Sequence, residues 1–140
     1  MYKFTGKKTQ GFSQKKHLIK NALVFLNAPY LWGGRTPFGI DCSGFTQMIY
    51  RLQGIKIPRD AYQQAEIGIT LGFIDECEEG DLAFFENNEG KIVHVGIIMF
   101  DNQIIHASGK VRIDKIDQKG IFNSELKKHT HKLRVIKKLI

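Results

Sequence analysis

The apolar residues of this chain change their period once, and that change limits the folds open to it. Up to Gly54 they recur at helical spacing: Leu18, Ala22, Phe25 and Leu26 first, then Phe45, Met48, Ile49 and Leu52 at i, i+3, i+4 and i+7. From Gly80 onward they fall in short runs, Leu82 to Phe85, Ile92 to Phe100 and Ile104 to Ala107, with a last candidate strand from Leu133 to Ile140. Asn87 to Gly90 and Asp101-Asn102-Gln103 read as the turns between them. Helices first and antiparallel strands afterwards mean segregated layers, an α+β fold. The 140 residues suit one domain. We expect it to span residues 1–140, with 1–12 a loose basic segment.

Local signals place the boundaries. Ser13 is a candidate cap for the first helix, which should stop before Asn27-Ala28-Pro29 because the residue before proline avoids helical torsions. Tyr30 to Ile40, YLWGGRTPFGI, is too rich in glycine and proline for regular helix or strand. Asp41 is a good N-cap for the second helix and Gly54 a natural left-handed stop. Ile57 to Gly72 shows no clear period.

This reading puts Cys42 in the first turn of the second helix. Free backbone N–H groups and the positive end of the helix dipole favour a thiolate there, and the same amides could hold an oxyanion. Alone, such a cysteine reads as a small buried hydrophobe. Asp41-Cys42-Ser43-Gly44 behind a glycine-rich loop favours a nucleophile. His94 and His106 stand on the two arms of an apparent hairpin. One could serve as general base and the other could fix its tautomer. A two-residue turn would put them on opposite faces, so they meet only across an odd-length turn or a β-bulge, for which Gly96 is the candidate.

Other features narrow the class. Cys42 and Cys77 are the only cysteines, their contexts differ, and a domain this size needs no staple, so free thiols are expected. His17, His129 and His131 read as bland, and no cluster at ligand spacing predicts a metal. No phosphate loop or dinucleotide fingerprint predicts a cofactor. The net charge of +7 gathers in the first twenty residues and in Lys127 to Lys138. It suits a solvated face or anionic wall polymers better than nucleic acid, for which no motif appears. No apolar run is long enough for a membrane span. Residues 1–17 hold no apolar leader core. The expected location is therefore the cell envelope or the exterior if a leader precedes this chain, and the cytoplasm if the chain is complete.

Four stretches, PYLWGGRTPFGIDCSGFTQMIYR, IPRDAYQQ, EEGDLAFF and HVGIIMFDNQIIHAS, resemble in this order the NlpC-type family of cell-wall cysteine peptidases, over Pro29 to Ser108. The resemblance implies a papain-like core and hydrolysis of peptidoglycan stem peptides between γ-D-glutamate and a diamino acid. It implies Cys42 as nucleophile, His94 as base, His106 as orienting residue and Tyr30 as a hydroxyl near the oxyanion. Trp32, Asp41 and Ser43 would line the substrate groove. Arg59 and Asp60 match a pair in members that take short peptides with a free amino end, the carboxylate meeting the substrate ammonium. The expected partners are peptidoglycan or murein-derived peptides. An amidase or acyltransferase using the same thiol, or a non-catalytic wall-binding domain, are the alternatives.

Overall fold

The structure, a computed structural model, describes residues 17–26, 35–36, 39–108 and 110–139. Its elements are α1 (17–24), β1 (Arg35–Thr36), β2 (Gly39–Ile40), α2 (Cys42–Leu52), α3 (Ala61–Gln64), β3 (Ile69–Leu71), β4 (Leu82–Glu86), β5 (Ile92–Met99), β6 (Gln103–Ser108), β7 (Lys110–Asp117), β8 (Gly120–Asn123) and β9 (Lys128–Lys138). Among the described residues the fold is sheet-rich with few helices, heavier in strand than the sequence suggests. Helices still precede strands, as the change of period requires. No described helix is long and apolar enough to cross a membrane.

Ser13 lies outside the described residues; α1 buries Leu18 and Ala22 as their spacing predicts, and Ile19 besides, but it ends at residue 24, leaving Phe25 half-buried and Leu26 exposed. The glycine-rich stretch does contain strand: Arg35 pairs with Ile40 and Thr36 with Gly39. In α2 the buried face is Phe45, Thr46, Ile49 and Tyr50, whereas Leu52 is exposed. In its last turn the helix buries Tyr50 instead of Leu52, and the Tyr50 hydroxyl donates to the Gly80 carbonyl. Gly54 follows the helix at φ +79°, the left-handed position that glycine adopts without strain.

The strands run β3-β9-β4-β5-β6-β7-β8, all antiparallel, and β9 pairs with β8 as well. The circuit from β4 to β9 therefore closes on itself, and the expected open meander becomes a barrel-like ring. Three strands escaped the sequence reading: β3, β7 and β8. The last strand begins at Lys128 rather than Leu133 and lies between neighbours on both edges. Its run of lysine and histidine hides it, because only part of one face is buried.

Alternation sorts the strands' side chains into two cores. Leu82, Phe84, Val95, Ile97, Met99, Ile105 and Ala107 join the helices, with α2 against β5 and β6 and α3 against β5. Ala83, Phe85, Ile98, Ile104, Ile116, Ile121 and Ile136 fill the ring. The β5–β6 hairpin settles the face of its two histidines. Met99 pairs with Gln103 around an odd-length turn, residues 100–102, with Asp101 and Asn102 at φ 60° and 56°. Gly96 then stands opposite His106, which puts His94, two residues away, on the same face. Gly96 is not a bulge. It is glycine because a Cβ there would sit 2.8 Å from His106 Cβ and 2.9 Å from Ile104 Cγ1.

Both clashing atoms lie next to the backbone, so overpacking should outweigh the ~0.5–1 kcal/mol that alanine ordinarily gains over glycine. Gly96→Ala should destabilise the fold by about 1–3 kcal/mol. A urea midpoint equal to or above wild type would refute the close approach.

Candidate active site

The site begins with the cap of α2. Asp41 takes extended torsions, and its Oδ1 accepts from the Gly44 N–H at 2.7 Å. Arg59 donates to Asp41 Oδ2 and to Ser43 Oγ, each at 2.9 Å. Gln64, fully buried, adds what sequence reasoning missed. Its amide donates to the Ser43 carbonyl (3.1 Å) and the Pro58 carbonyl (2.8 Å), and its carbonyl accepts from the Thr46 hydroxyl (2.7 Å). The turn carrying Cys42 is thus held by the amide of Gln64 on α3 and by the guanidinium of Arg59 just before that helix. Asp41 and Ser43 are buried and engaged in this bracing, while Asp60, the N-cap of α3, is exposed. Tyr30 and Trp32 lie outside the described residues.

Cys42 opens α2, as the N-cap signal predicts. Its thiol is 7% exposed and donates a long hydrogen bond, 4.0 Å, to the Val93 carbonyl, one residue before His94. The expected preformed thiolate is not supported. Burial, the largest influence, pushes the thiol up, and the Asp41 carboxylate adds to the rise. Backbone N–H groups of Val95, Ser43 and Cys42 pull the other way without cancelling it. The helix tip acts, but desolvation of the sulfur wins. Cys42 and Cys77 are both free thiols.

On β5 and β6 the histidines meet. His94 Nε2 and His106 Nδ1 are 2.8 Å apart with rings nearly perpendicular, and His106 Nε2 is 2.8 Å from Asp114 Oδ2. Among the described residues no hydrogen bond joins Sγ to the His94 ring, whose Nε2 is taken by His106. The thiol reaches the backbone of Val93, the residue before His94, and the His94 ring lies against Phe85. Arg112 clamps Asp114 through Nε (2.8 Å) and Nη2 (3.1 Å), and it also reaches Glu125 (3.1 Å).

Asp114 and His131, like Gln64, are site residues that sequence reasoning missed. Arg112 pairs with His106 and Asp114 follows it by the strand period, a placement that only the register of β7 supplies. His131, read as bland, stacks on His94 with centroids 4.2 Å apart and planes 27° apart. Only the closure of the ring by β9 brings it there. Val93 and His131 also line an adjoining cleft of about 520 Å³ with Asn87, Lys119, His129 and Lys132. His129 itself is paired with Asp117 at 2.9 Å. Much of the basic tail is likewise paired, Lys132 and Arg134 with Glu86 and Lys138 with Glu78.

The model of the NlpC/P60 family matches residues 27–134, and the chain belongs to that family. It is 44% identical over 92 residues to a γ-D-glutamyl-L-lysine dipeptidyl-peptidase of Bacillus subtilis (strain 168), covering 64% of this chain and 31% of that protein. The chain thus spans less than a third of that curated relative. Its fold superposes on an NlpC/P60 family protein from Bacillus cereus ATCC 10987 with a TM-score of 0.74 and 31% identity, over 89% of this chain and 39% of the other. It also matches the NlpC/p60 domain of the peptidoglycan hydrolase SagA, with a TM-score of 0.71 and 25% identity, over 89% of this chain and 98% of that domain.

Burial, chiefly, keeps the three clustered rings neutral: His94 lies well below the usual imidazole range, His106 below it, and His131 is lowered to about 4. Below about pH 6.5 the unfolded chain binds protons at these positions that the folded chain refuses. Stability should therefore fall as pH drops from about 6.5 toward 4. The depressed carboxylates of Asp114 and Asp117 do not offset this, because their contribution persists until the pH falls below the ordinary carboxylate range. Urea denaturation across that window checks it, with His131→Gln expected to flatten the slope. A stability that rises on acidification would contradict the burial of neutral rings.

Proposed function

We propose that this chain is a single catalytic domain, spanning residues 1–140, of a cysteine peptidase that hydrolyses peptidoglycan stem peptides at the γ-D-glutamyl–diamino acid bond. The observation that carries the reading is the convergence of two elements. The Cys42 thiol at the start of α2 touches the backbone next to His94, and His94 heads a hydrogen-bonded chain of 2.8 Å links.

The chemistry follows from a thiol and an imidazole that are both neutral. As Sγ adds to the γ-glutamyl carbonyl carbon, its proton passes to His94, so charge appears only during attack. Contacts of this kind are often long in a ligand-free site and tighten with substrate. The first-turn N–H groups of Cys42 and Ser43 face the sulfur and are suited to receive the oxyanion, with the Tyr30 hydroxyl as a further donor. Collapse breaks the C–N bond, and the leaving amine takes the proton from His94. His94 then takes a proton from water, whose oxygen adds to the thioester carbonyl, and as the C–S bond breaks His94 returns the proton to Sγ. His106 orients His94 throughout.

Substrate recognition draws on the loop with Trp32, on the braced turn of Asp41 and Ser43, and on α3. Arg59 fixes that turn, and the exposed Asp60 carboxylate is the group to meet a substrate ammonium. The dipeptidyl-peptidase name of the Bacillus relative supports a substrate with a free amino end. The diamino acid is lysine or diaminopimelate, the partners are peptidoglycan or murein-derived peptides, and the place of action is the cell envelope.

Cys42→Ala should lower cleavage of L-Ala-γ-D-Glu-diaminopimelate by on the order of 10⁴-fold or more while leaving the circular dichroism spectrum unchanged. Mass spectrometry should find the acyl group trapped on Cys42 in wild type. Wild-type turnover by the alanine variant would end the peptidase assignment, and an adduct of another acyl class would indicate an amidase or acyltransferase.

A further inference from the structure

Beyond the thiol and the first imidazole lies a buried relay whose proton positions can be worked out. Asp114 Oδ2 accepts from Arg112 Nε at 2.8 Å and lies 2.8 Å from His106 Nε2, and Oδ1 accepts from Arg112 Nη2 at 3.1 Å. Arg112 is always a donor, and an ionised carboxylate only accepts. Burial is the strongest single influence on Asp114 and opposes its charge, yet the hydrogen bonds from His106 and Arg112 together hold the carboxyl below its ordinary range. Its side chain is 6% exposed, so water does not compete for the contact.

We infer that Asp114 is a positioning residue that sets the tautomers of two histidines in series. Facing a carboxylate, His106 carries its proton on Nε2. Its Nδ1 is then a lone pair and accepts from His94 Nε2. His94 in turn keeps its lone pair on Nδ1, the only ring nitrogen left to take a proton from a thiol. When His94 becomes an imidazolium during attack, the charge is shared along a buried line that ends on Asp114. The stack of His131 on His94 restricts the ring from turning to present the other nitrogen. The inference rests on the peptidase reading for its catalytic consequence, but the tautomers are a property of the folded chain alone.

The test has two arms. In the full-length wild-type protein at neutral pH, ¹⁵N–¹H correlation spectra of the imidazoles should show both His94 and His106 protonated on Nε2 and bare on Nδ1. In Asp114→Asn either proton placement on His106 finds a partner, since the amide offers both a carbonyl and an NH₂. The Nδ1–H form should then become populated in both rings. Loss of the charge should lower kcat on the order of 10²–10³-fold, with KM changed by less than about threefold. A wild-type His94 protonated on Nδ1 overturns the inference without any variant. So does an Asp114→Asn protein whose tautomers match wild type, or whose kcat is undiminished when Cys42→Ala is inactive. If Cys42→Ala retains activity, the peptidase reading fails, and the spectra alone decide the tautomer assignment.

Discussion

β9 bonds to β4 along one part of its length and to β8 along another, and that double pairing is what closes the sheet. A ring has no free edge on which to slip, so the faces of β5 and β6 are fixed relative to everything inside it. His94 and His106 point into that interior with Phe85, and β9 adds His131 to the same group. Opening the ring would expose this group to water and remove the burial that keeps its imidazoles neutral.

The two halves of the site are built by different physics. The cysteine half is local: a capping carboxylate, a helix start and a bracing arginine, all within a short span of chain, with Gln64 as the one buried amide tying in α3. The histidine half is assembled across β5, β6, β7 and β9, from residues as far apart in sequence as Val93 and His131. The opposing influences on Cys42 show how they meet. Helix-tip amides favour the thiolate, but packing α2 onto β5 removes water from the sulfur, and the desolvation is larger. The resting pair is therefore neutral, which fits a mechanism in which the base works during attack rather than before it.

Much of this was legible in the sequence because it depends on near neighbours. Asp41 as a cap, Cys42 at the helix start, the stop at Gly54, the turn at Asn87 to Gly90 and the β5–β6 hairpin are matters of local torsion and spacing. The same-face placement of His94 and His106 was reduced to two alternatives, an odd-length turn or a β-bulge at Gly96, and left-handed Asp101 and Asn102 supply the first. Leu52 misled because periodicity defines a stripe but not where along the helix the sheet stops covering it. β9 was read short because a strand buried on only part of one face presents lysines and histidines that look like tail. Asp114 and His131 went unread because their importance lies in partners on other strands.

By itself the sequence determined the order of helices and strands, the helix that Cys42 opens and the hairpin bearing the two histidines, since torsional preferences and hydrophobic period act over a few residues. It also carried the family resemblance. Only the tertiary structure decided that the sheet closes, that Asp114 ends the histidine chain, that His131 covers it and that burial pushes the thiol up. These depend on strand register and on exclusion of water, and neither exists until distant segments are brought together.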